Sequence, residues 1–307
     1  MTRAGMAPIH LLLAIAVVAV WGTNFVVIKW GLADFPPLTF AALRFAFAVF
    51  PAVFFLKRPP VPIWNLAAYG VLIGVGQFGM LYIAMTHWIS PGLASLVVQT
   101  QAFFTIGLAM LLADERVKPF QIMALTLAAA GLAWLMTHMT AEVTALGIGL
   151  VLVAALGWAG GNTVQRRANA PNMLAYVVWA SVFSAPPLFA LALVSEGLPA
   201  ISHAVTNASP AAWAAVLWQS IGNTIFGYTA WGWLLARYPT ASIAPLALMV
   251  PVFGMGASAL LLGESLTPTK LIAAALVLSG LALNTFWPPL SARLQSNRRG
   301  SQHADPS

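Results

Sequence analysis

The stretch PIHLLLAIAVVAVWGTNFVVIKW, residues 8–30, decides the class of fold. Lys29 carries its only formal charge, and its length matches the roughly 20 apolar residues that a helix needs to cross a bilayer. A barrel strand would need only about half that length. No small-residue cleavage site and polar mature start follow the run, so we expect a retained first membrane helix rather than a signal peptide.

The composition extends this interpretation to the whole chain. Hydrophobic residues make up 60% of the 307 residues and charged residues 7%, whereas a soluble domain has roughly 25% charged residues. A soluble fold is therefore excluded. Because a bilayer core offers no water to backbone N–H and C=O groups, apolar runs of this length must be helical. The lack of cysteine in the sequence excludes disulfides, thiolate metal sites and cysteine nucleophiles.

Apolar runs separated by proline, glycine, asparagine or charged residues predict ten membrane spans. We number them 1 to 10 in chain order. The predicted spans are 8–30, 37–56, 64–86, 92–112, 119–138, 146–166, 172–194, 210–236, 240–262 and 267–287.

The basic residues of the loops indicate the orientation. If residue 1 is cytoplasmic, eleven basic residues lie in the inner loops and tails and only Lys270 lies in an outer loop. Basic residues collect on the cytoplasmic side of membrane proteins, so we predict a multi-pass protein of the cell inner membrane with both termini cytoplasmic. This topology explains the net charge of +7 without a nucleic-acid partner. The eleven are Arg3, Lys57, Arg58, Arg116, Lys118, Arg166, Arg167, Arg237, Arg293, Arg298 and Arg299.

Similar residues recur in the two halves of the chain at constant spacing. Each half holds five predicted helices, an odd number, so the second half must enter the membrane in the opposite orientation. We therefore predict an all-α integral membrane protein with ten transmembrane helices in two inverted five-helix repeats, 8–138 and 146–287. A longer 195–210 loop lies within the second repeat, and a cytoplasmic tail, 288–307, is predicted to be disordered. The pairs are Trp21/Trp158 and Lys29/Arg166, 137 residues apart, and Glu115/Glu264, Pro119/Pro268 and Gly131/Gly280, 149 apart.

At these residues the chain resembles the drug/metabolite transporter superfamily, in its EamA branch. The motifs are Trp21-Gly-Thr-Asn24 followed by Lys29, Leu43-Arg44-Phe45, and Leu262-Gly-Glu264 with Pro268. The resemblance covers about residues 8–287. It implies two five-helix halves of inverted topology and a secondary transporter that works by alternating access.

A closer similarity is to the O-acetylserine/cysteine exporter subgroup. It is carried by the segment 91–106, PGLASLVVQTQAFFTI, by Trp158-Ala-Gly-Gly-Asn162, and by the segment 244–254, APLALMVPVFG. Many relatives in the wider family have a proline where this chain has Ala102, opposite Pro251 of the second half. The resemblance implies export of small amino acids of the cysteine or O-acetylserine type.

Polar side chains within the spans are the candidate substrate-binding groups, because exposing them to lipid is costly. Each amide has an alternative interpretation as a hydrogen bond between two helices. Gln99 and Gln101 lie about 200° apart on a helix, so we expect one of them to make such a contact instead of facing the cavity. The candidates are Asn24, Gln77, Gln99, Gln101, Asn162, Asn223 and Tyr228.

Two basic residues within the spans are sharper candidates. Lys29 could bind substrate or extend its ammonium group to the membrane surface. Arg44 lies near the middle of span 2, where it could bind a substrate carboxylate or the backbone carbonyls of a broken neighbouring helix.

Two aromatic residues and two prolines complete the candidate set. Trp21 and Trp158 occupy equivalent mid-span positions, below the interfacial belt where tryptophan usually collects, so we expect them to line the cavity. Pro245 and Pro251 remove backbone donors from span 9, which either kinks it for packing or lets it bend as a gate.

Glu115 and Glu264 are either solvated carboxylates or caps of a helix N-terminus.

The polar residues of the spans also argue against three other classes of protein: an enzyme, a channel and a broad-specificity drug exporter. The sequence contains no His-Glu-x-x-His motif and no intramembrane aspartate, so an enzyme, a metal site and a cofactor are not expected. A channel would need a more continuous polar lining, and a broad-specificity drug exporter would favour an acid in its pocket. The expected partners are a small-molecule substrate and the lipid bilayer; the oligomeric state, including a homodimer, stays open.

Overall fold

A computed structural model describes residues 6–113, 118–140, 142–238 and 240–302. Glu115 and Arg116, which the sequence analysis singles out, lie outside these residues. The helices are α1 (Pro8–Gly31), α2 (Pro37–Val49), α3 (Ile63–Val71), α4 (Met80–His87), α5 (Pro91–Val97), α6 (Gln101–Ala113), α7 (Pro119–Thr137), α8 (Ala145–Ala168), α9 (Met173–Ser181), α10 (Ala185–Ser195), α11 (Leu198–Asn207), α12 (Pro210–Leu217), α13 (Gly227–Arg237), α14 (Thr240–Ile243), α15 (Met249–Leu262) and α16 (Pro268–Gln302).

Prolines fix the start of many of these helices. Pro8, Pro37, Pro91, Pro119 and Pro210 each stand in the first turn of a helix, where a missing N–H costs no intrahelical bond. Because proline's φ angle already suits a helix, the predicted span boundaries at these positions agree closely with the structure.

Within the described residues, nine helical stretches are long and apolar enough to span a membrane. Predicted span 8 is also a continuous helical stretch, through α12, a π-helical segment Trp218–Phe226 and α13. Its polar residues, such as Gln219 and Asn223, make it less apolar than the others. Large apolar side chains such as Leu111, Val194 and Leu260 are more than four-fifths exposed, which suits helices that face lipid instead of water. The chain is thus an all-α integral membrane protein.

The two halves pack through equivalent contacts. Span 1 packs against span 9, and its repeat mate, span 6, packs against span 4. In spans 5 and 10, a Cβ on Gly131 would lie 3.1 Å from the carbonyl oxygen of Ala273, and one on Gly280 would lie 2.5 Å from that of Ala124. Both pairs are 149 residues apart, so the close approach is reciprocal, as an inverted repeat requires.

Each half also contains one span with a π-helical segment. Leu72–Gly79 joins α3 to α4 in span 3, and Trp218–Phe226 joins α12 to α13 in span 8. Such segments are rare and often mark functional sites. Counting along these spans, Gln77 matches Asn223 and Tyr82 matches Tyr228, so each π-helical segment carries an amide near its end.

Two segments differ from expectation. The 195–210 segment, predicted as a loop, contains helix α11, because Ile201 and Ala204 lie three residues apart and pack onto the core. Helix α16 continues to Gln302, where the sequence analysis expects a disordered tail from residue 288. Pro288 and Pro289 lie within this helix without ending it, and residues 290–299 contain neither proline nor glycine.

Candidate functional site

A narrow central cavity of about 40 Å³ lies between spans of both repeats. Spans 1, 3 and 4 of the first half and spans 6, 8 and 9 of the second half supply its walls. The lining residues are Trp21, Asn24, Phe25, Ile28, Gln77, Phe78, Leu81, Val98, Trp158, Asn223, Tyr228 and Val250.

Six of the predicted site residues line this cavity, including the repeat mates Trp21 and Trp158. Trp21 packs against Tyr228, with ring centroids 5.6 Å apart. The structure therefore brings together an aromatic wall and a set of amides. The six are Trp21, Asn24, Gln77, Trp158, Asn223 and Tyr228.

The amides of the cavity are poorly paired. Asn24 accepts a hydrogen bond from Gln219 Nε2 through its Oδ1 at 2.7 Å. Within the described residues, Gln77 Oε1 is buried without a hydrogen-bond partner, and the side chain of Asn223 makes no hydrogen bond although only 4% of its surface is exposed. A buried polar group without a partner costs roughly 1–3 kcal/mol. These amides are therefore available to a ligand.

Arg44 lies behind the cavity wall and does not line it. Its Nη1 donates to the Tyr82 hydroxyl at 3.1 Å and its Nη2 donates to Thr224 Oγ1 at 2.8 Å. The guanidinium carbon lies 3.7 Å from the centroid of the Phe78 ring, which does line the cavity. The sequence predicts that Arg44 binds a substrate carboxylate or backbone carbonyls. Its partners in this structure are instead two hydroxyls and an aromatic ring.

Lys29 is also not in the cavity. Its ammonium group donates to the carbonyl oxygens of Thr86 at 3.1 Å and Met85 at 3.4 Å. These carbonyls belong to the last turn of α4, where the helix dipole favours a positive charge. Lys29 therefore holds span 1 against the end of span 3.

The remaining candidates lie near the 3₁₀ segments of spans 4 and 9 or within the continuous helix of span 6. Gln99 Nε2 donates to the carbonyl oxygen of Ala247 at 3.3 Å, so Gln99 is the helix-to-helix contact of the pair with Gln101. Gln101 Oε1 accepts from Thr105, on its own helix. Asn162 is half-buried and is not part of the cavity wall.

The two prolines of span 9 stand on either side of an irregular turn. Pro245 lies in the 3₁₀ segment Ala244–Leu248 and Pro251 lies in the following helix, α15. The carbonyl of Ala247, which accepts from Gln99, belongs to this segment. Backbone groups that proline frees are thus partly satisfied by a side chain from span 4.

Four carboxylates, Asp34, Glu142, Glu196 and Glu264, define one end of the molecule, which we call the acidic face. Glu264 accepts from Ser90 Oγ and the Gly92 N–H at the start of α5. It also pairs with Lys270 Nζ at 2.9 Å. Of the two interpretations of Glu264, the structure shows the helix cap.

Glu196 and Asp34 cap two further helices on the acidic face. Glu196 accepts from the N–H groups of Leu38 and Thr39 and from the Thr39 hydroxyl, at the start of α2. Asp34 accepts from the N–H of Ser209, before α12, at 2.8 Å. Bonding by Ser209 lowers the pKa of Asp34 below the usual 3.8.

Several residues of the site escaped the sequence analysis. Gln219 is fully buried against Asn24, and Tyr82 holds Arg44. The spacing of 146 residues that relates Tyr82 to Tyr228 would have pointed to Tyr82, whereas Gln219 has no polar counterpart at this spacing, since residue 73 is isoleucine. Among the described residues, no group of three acidic or histidine side chains could hold a metal ion.

Comparison with known proteins gives consistent matches over nearly the whole chain. A model of the EamA-like transporter family matches residues 8–137 and 145–286. The probable amino-acid metabolite efflux pumps of Salmonella typhimurium and Escherichia coli K12 are each 40% identical over 280 residues, 89% of this chain and 94% of theirs.

A solved crystal structure, 18% identical in sequence, aligns with 91% of this chain and 96% of its own at a TM-score of 0.61. At that identity the match concerns the fold alone. The family match accounts for both halves of the repeat, and the chain belongs to the EamA-like transporter family.

Proposed function

We propose that the protein is a secondary exporter of small amino acids of the cysteine or O-acetylserine type. The observation that carries this proposal is the central cavity, which contains unpaired neutral amides and aromatic rings but no acidic residue. Two relatives named as probable amino-acid metabolite efflux pumps, 40% identical, support it.

The chemistry of the lining suits a zwitterion. An amide can donate to a carboxylate through its NH₂ group and accept from an ammonium group through its oxygen. Gln77 and Asn223 offer these groups without a side-chain partner in the described part of the chain, and the faces of Trp21 and Trp158 can attract an ammonium group. At about 40 Å³ the cavity is smaller than the roughly 300–1,000 Å³ of small-molecule sites, so binding requires the surrounding spans to move apart.

The placement of the cavity supports alternating access. Carriers built from inverted repeats bind substrate at the repeat interface and move one bundle against the other. Here Gln77 and Asn223, which are repeat mates, face the cavity from opposite halves. We propose that span 9 bends at Pro245 and Pro251 during this motion, and that the Gln99 bond to Ala247 breaks with it.

The direction of transport follows from the proposed orientation. From the basic loop residues we propose that both termini are cytoplasmic, so the acidic face would lie outside the cell inner membrane. Substrate would then enter from the basic side and leave past the acidic face.

Transport into inside-out vesicles tests this proposal. Radiolabelled cysteine and O-acetylserine should accumulate, and a hydrophobic cation such as ethidium should not. Asn223→Leu should reduce uptake by at least about tenfold, the loss expected for one hydrogen bond to a charged group. Gln101→Leu, outside the cavity, is the matched control and should transport normally. Accumulation of ethidium without amino-acid uptake would instead favour a broad-specificity drug exporter.

A further inference from the structure

Arg44 is a buried charge with neutral neighbours. Its side chain has no solvent exposure, and it bonds to the hydroxyls of Tyr82 and Thr224. Its Nε atom has no partner among the described residues. The four carboxylates that the structure describes all lie on the acidic face and none contacts Arg44. A lone buried charge is expensive unless something compensates for it.

The guanidinium group lies one side-chain layer from the cavity. Phe78 contacts both, because its ring centroid lies 3.7 Å from the guanidinium carbon and the same residue lines the cavity. Its partner Thr224 is next to Asn223, and its partner Tyr82 is next to Leu81; both neighbours line the cavity. An aromatic ring screens a charge far less than water does, so the cavity experiences the positive field.

A purely structural role does not need the charge. Arg44 joins spans 2, 3 and 8 through hydrogen bonds to hydroxyls, and Ser220 Oγ adds a bond to its backbone carbonyl. A neutral amide could donate the same bonds without the desolvation cost of a guanidinium group. The hydrogen bonds leave the permanent charge unexplained, and the rings of Phe78 and Phe45, with centroids 3.7 and 4.9 Å from the guanidinium carbon, offset only part of its desolvation cost.

The geometry points to Arg44 as the residue that selects the charge of the substrate: its fixed positive field attracts the carboxylate of an amino acid to the Phe78 side of the cavity and excludes cations. This inference rests on the proposed function and deepens it. The cavity contains no acidic side chain to offset the field. Removing the carboxylate charge of the ligand should therefore lower its affinity more than removing its ammonium charge.

Three ligands of similar size and different charge test this selection. S-methylcysteine is a zwitterion, its N-acetyl derivative is an anion, and its methyl ester is a cation near pH 6, below the usual α-amino pKa of about 7.7. Ligand-induced shifts of the unfolding temperature, titrated against purified full-length protein, give the relative affinities. The wild type should bind the zwitterion and the anion more tightly than the ester by about tenfold to a hundredfold, as Coulomb's law gives for charges one side-chain layer apart.

Three variants complete the experiment. Arg44→Gln should abolish the preference over the ester, Arg44→Lys should retain most of it, and Arg167→Gln, an exposed charge at the end of α8, should leave it unchanged. If Arg44→Gln does not fold, Phe78→Leu keeps the charge, thins the barrier and should increase the preference.

Each result decides between the proposals. Equal binding of the ester and the zwitterion by the wild type would overturn the role of Arg44 alone. Binding of none of the three ligands would overturn the amino-acid function as well. A preference that persists in Arg44→Gln would assign the selection to another residue.

Discussion

The acidic face and the central cavity both contain buried polar groups, but only one of them satisfies those groups. On the acidic face, Glu264 bonds to Ser90, Gly92 and Lys270. In the cavity, Gln77 Oε1 is buried without a partner, and the Asn223 side chain makes no hydrogen bond to the described residues. The first arrangement holds helices together, and the second keeps hydrogen-bonding capacity free.

The polar groups of the acidic face therefore contribute to stability, and those of the cavity to ligand binding. A paired buried charge resists removal of either partner, because the remaining charge is left in a medium of low dielectric constant. An unpaired amide costs free energy in the empty protein, so its removal should not destabilise the fold. Substitutions in the two regions should therefore have opposite effects on unfolding, and the following four run from the largest to the smallest.

Lys270→Met should cause the largest loss of stability. Lys270 is 4% exposed and bonds to Glu142 at 2.7 Å and Glu264 at 2.9 Å. Its loss leaves the buried Glu264 carboxylate without its cation, at a cost on the order of 3–5 kcal/mol. Chemical unfolding in detergent measures this. The matched control, Glu142→Gln, removes a half-exposed partner and should cost less than about 1 kcal/mol; equal effects would refute the distinction.

Glu196→Ala should have an intermediate effect. The carboxylate accepts from two N–H groups and one hydroxyl at the start of α2, and loss of a helix cap costs about 0.5–2 kcal/mol. Glu196→Gln retains acceptor oxygen and should recover part of the loss. Identical unfolding of the alanine variant and the wild type would show that the cap contributes nothing.

Asn223→Leu should leave the free energy of unfolding unchanged or raise it by up to about 1 kcal/mol, because the Asn223 side chain, which lines the cavity, makes no hydrogen bond to the described residues that the substitution would break. The same unfolding assay measures it beside Gln219→Leu, which breaks the bond to Asn24 and should destabilise. Destabilisation of Asn223→Leu by more than the Gln219 variant would mean that Asn223 is a structural contact.

Asp34→Asn should change the free energy of unfolding least, and the size of the change should depend on pH in the acid range. Its folded-state pKa lies below the usual 3.8, because Ser209 bonds to the carboxylate. Its contribution is therefore present above pH 3.8 and is lost as the pH falls through the lower folded-state value. Unfolding of the wild type and Asp34→Asn at pH 3 and pH 6 measures this. The two proteins should differ less at the lower pH, and a larger difference there would contradict the sign.

The sequence predicted the membrane spans well because two strong physical signals coincide. Apolar runs of bilayer length must be helical, and prolines such as Pro37 and Pro119 fix where the helices begin. The sequence also predicted the repeat pairs Gly131/Gly280 and Trp21/Trp158. The members of each pair occupy equivalent positions in the structure.

The site was predicted only in part because tertiary contacts decide which polar group is free. Lys29, Gln99 and Asn223 are all polar residues within apolar runs, yet Lys29 and Gln99 bond to carbonyls of a neighbouring helix. Nothing local to these residues distinguishes them from Asn223. The position of Arg44 behind Phe78 depends on the packing of spans 2, 3 and 8, which no single run of sequence encodes.

The most direct measurement of the central claim is the ligand-induced shift of the unfolding temperature in wild type and Asn223→Leu, at one saturating concentration of S-methylcysteine. A ligand at about 100 times its Kd stabilises the folded state by roughly 2.7 kcal/mol. We predict a clear shift for the wild type, a much smaller shift for Asn223→Leu, and an unfolding temperature without ligand that is unchanged or raised in the variant. A variant that unfolds earlier without ligand but keeps the full shift would contradict it.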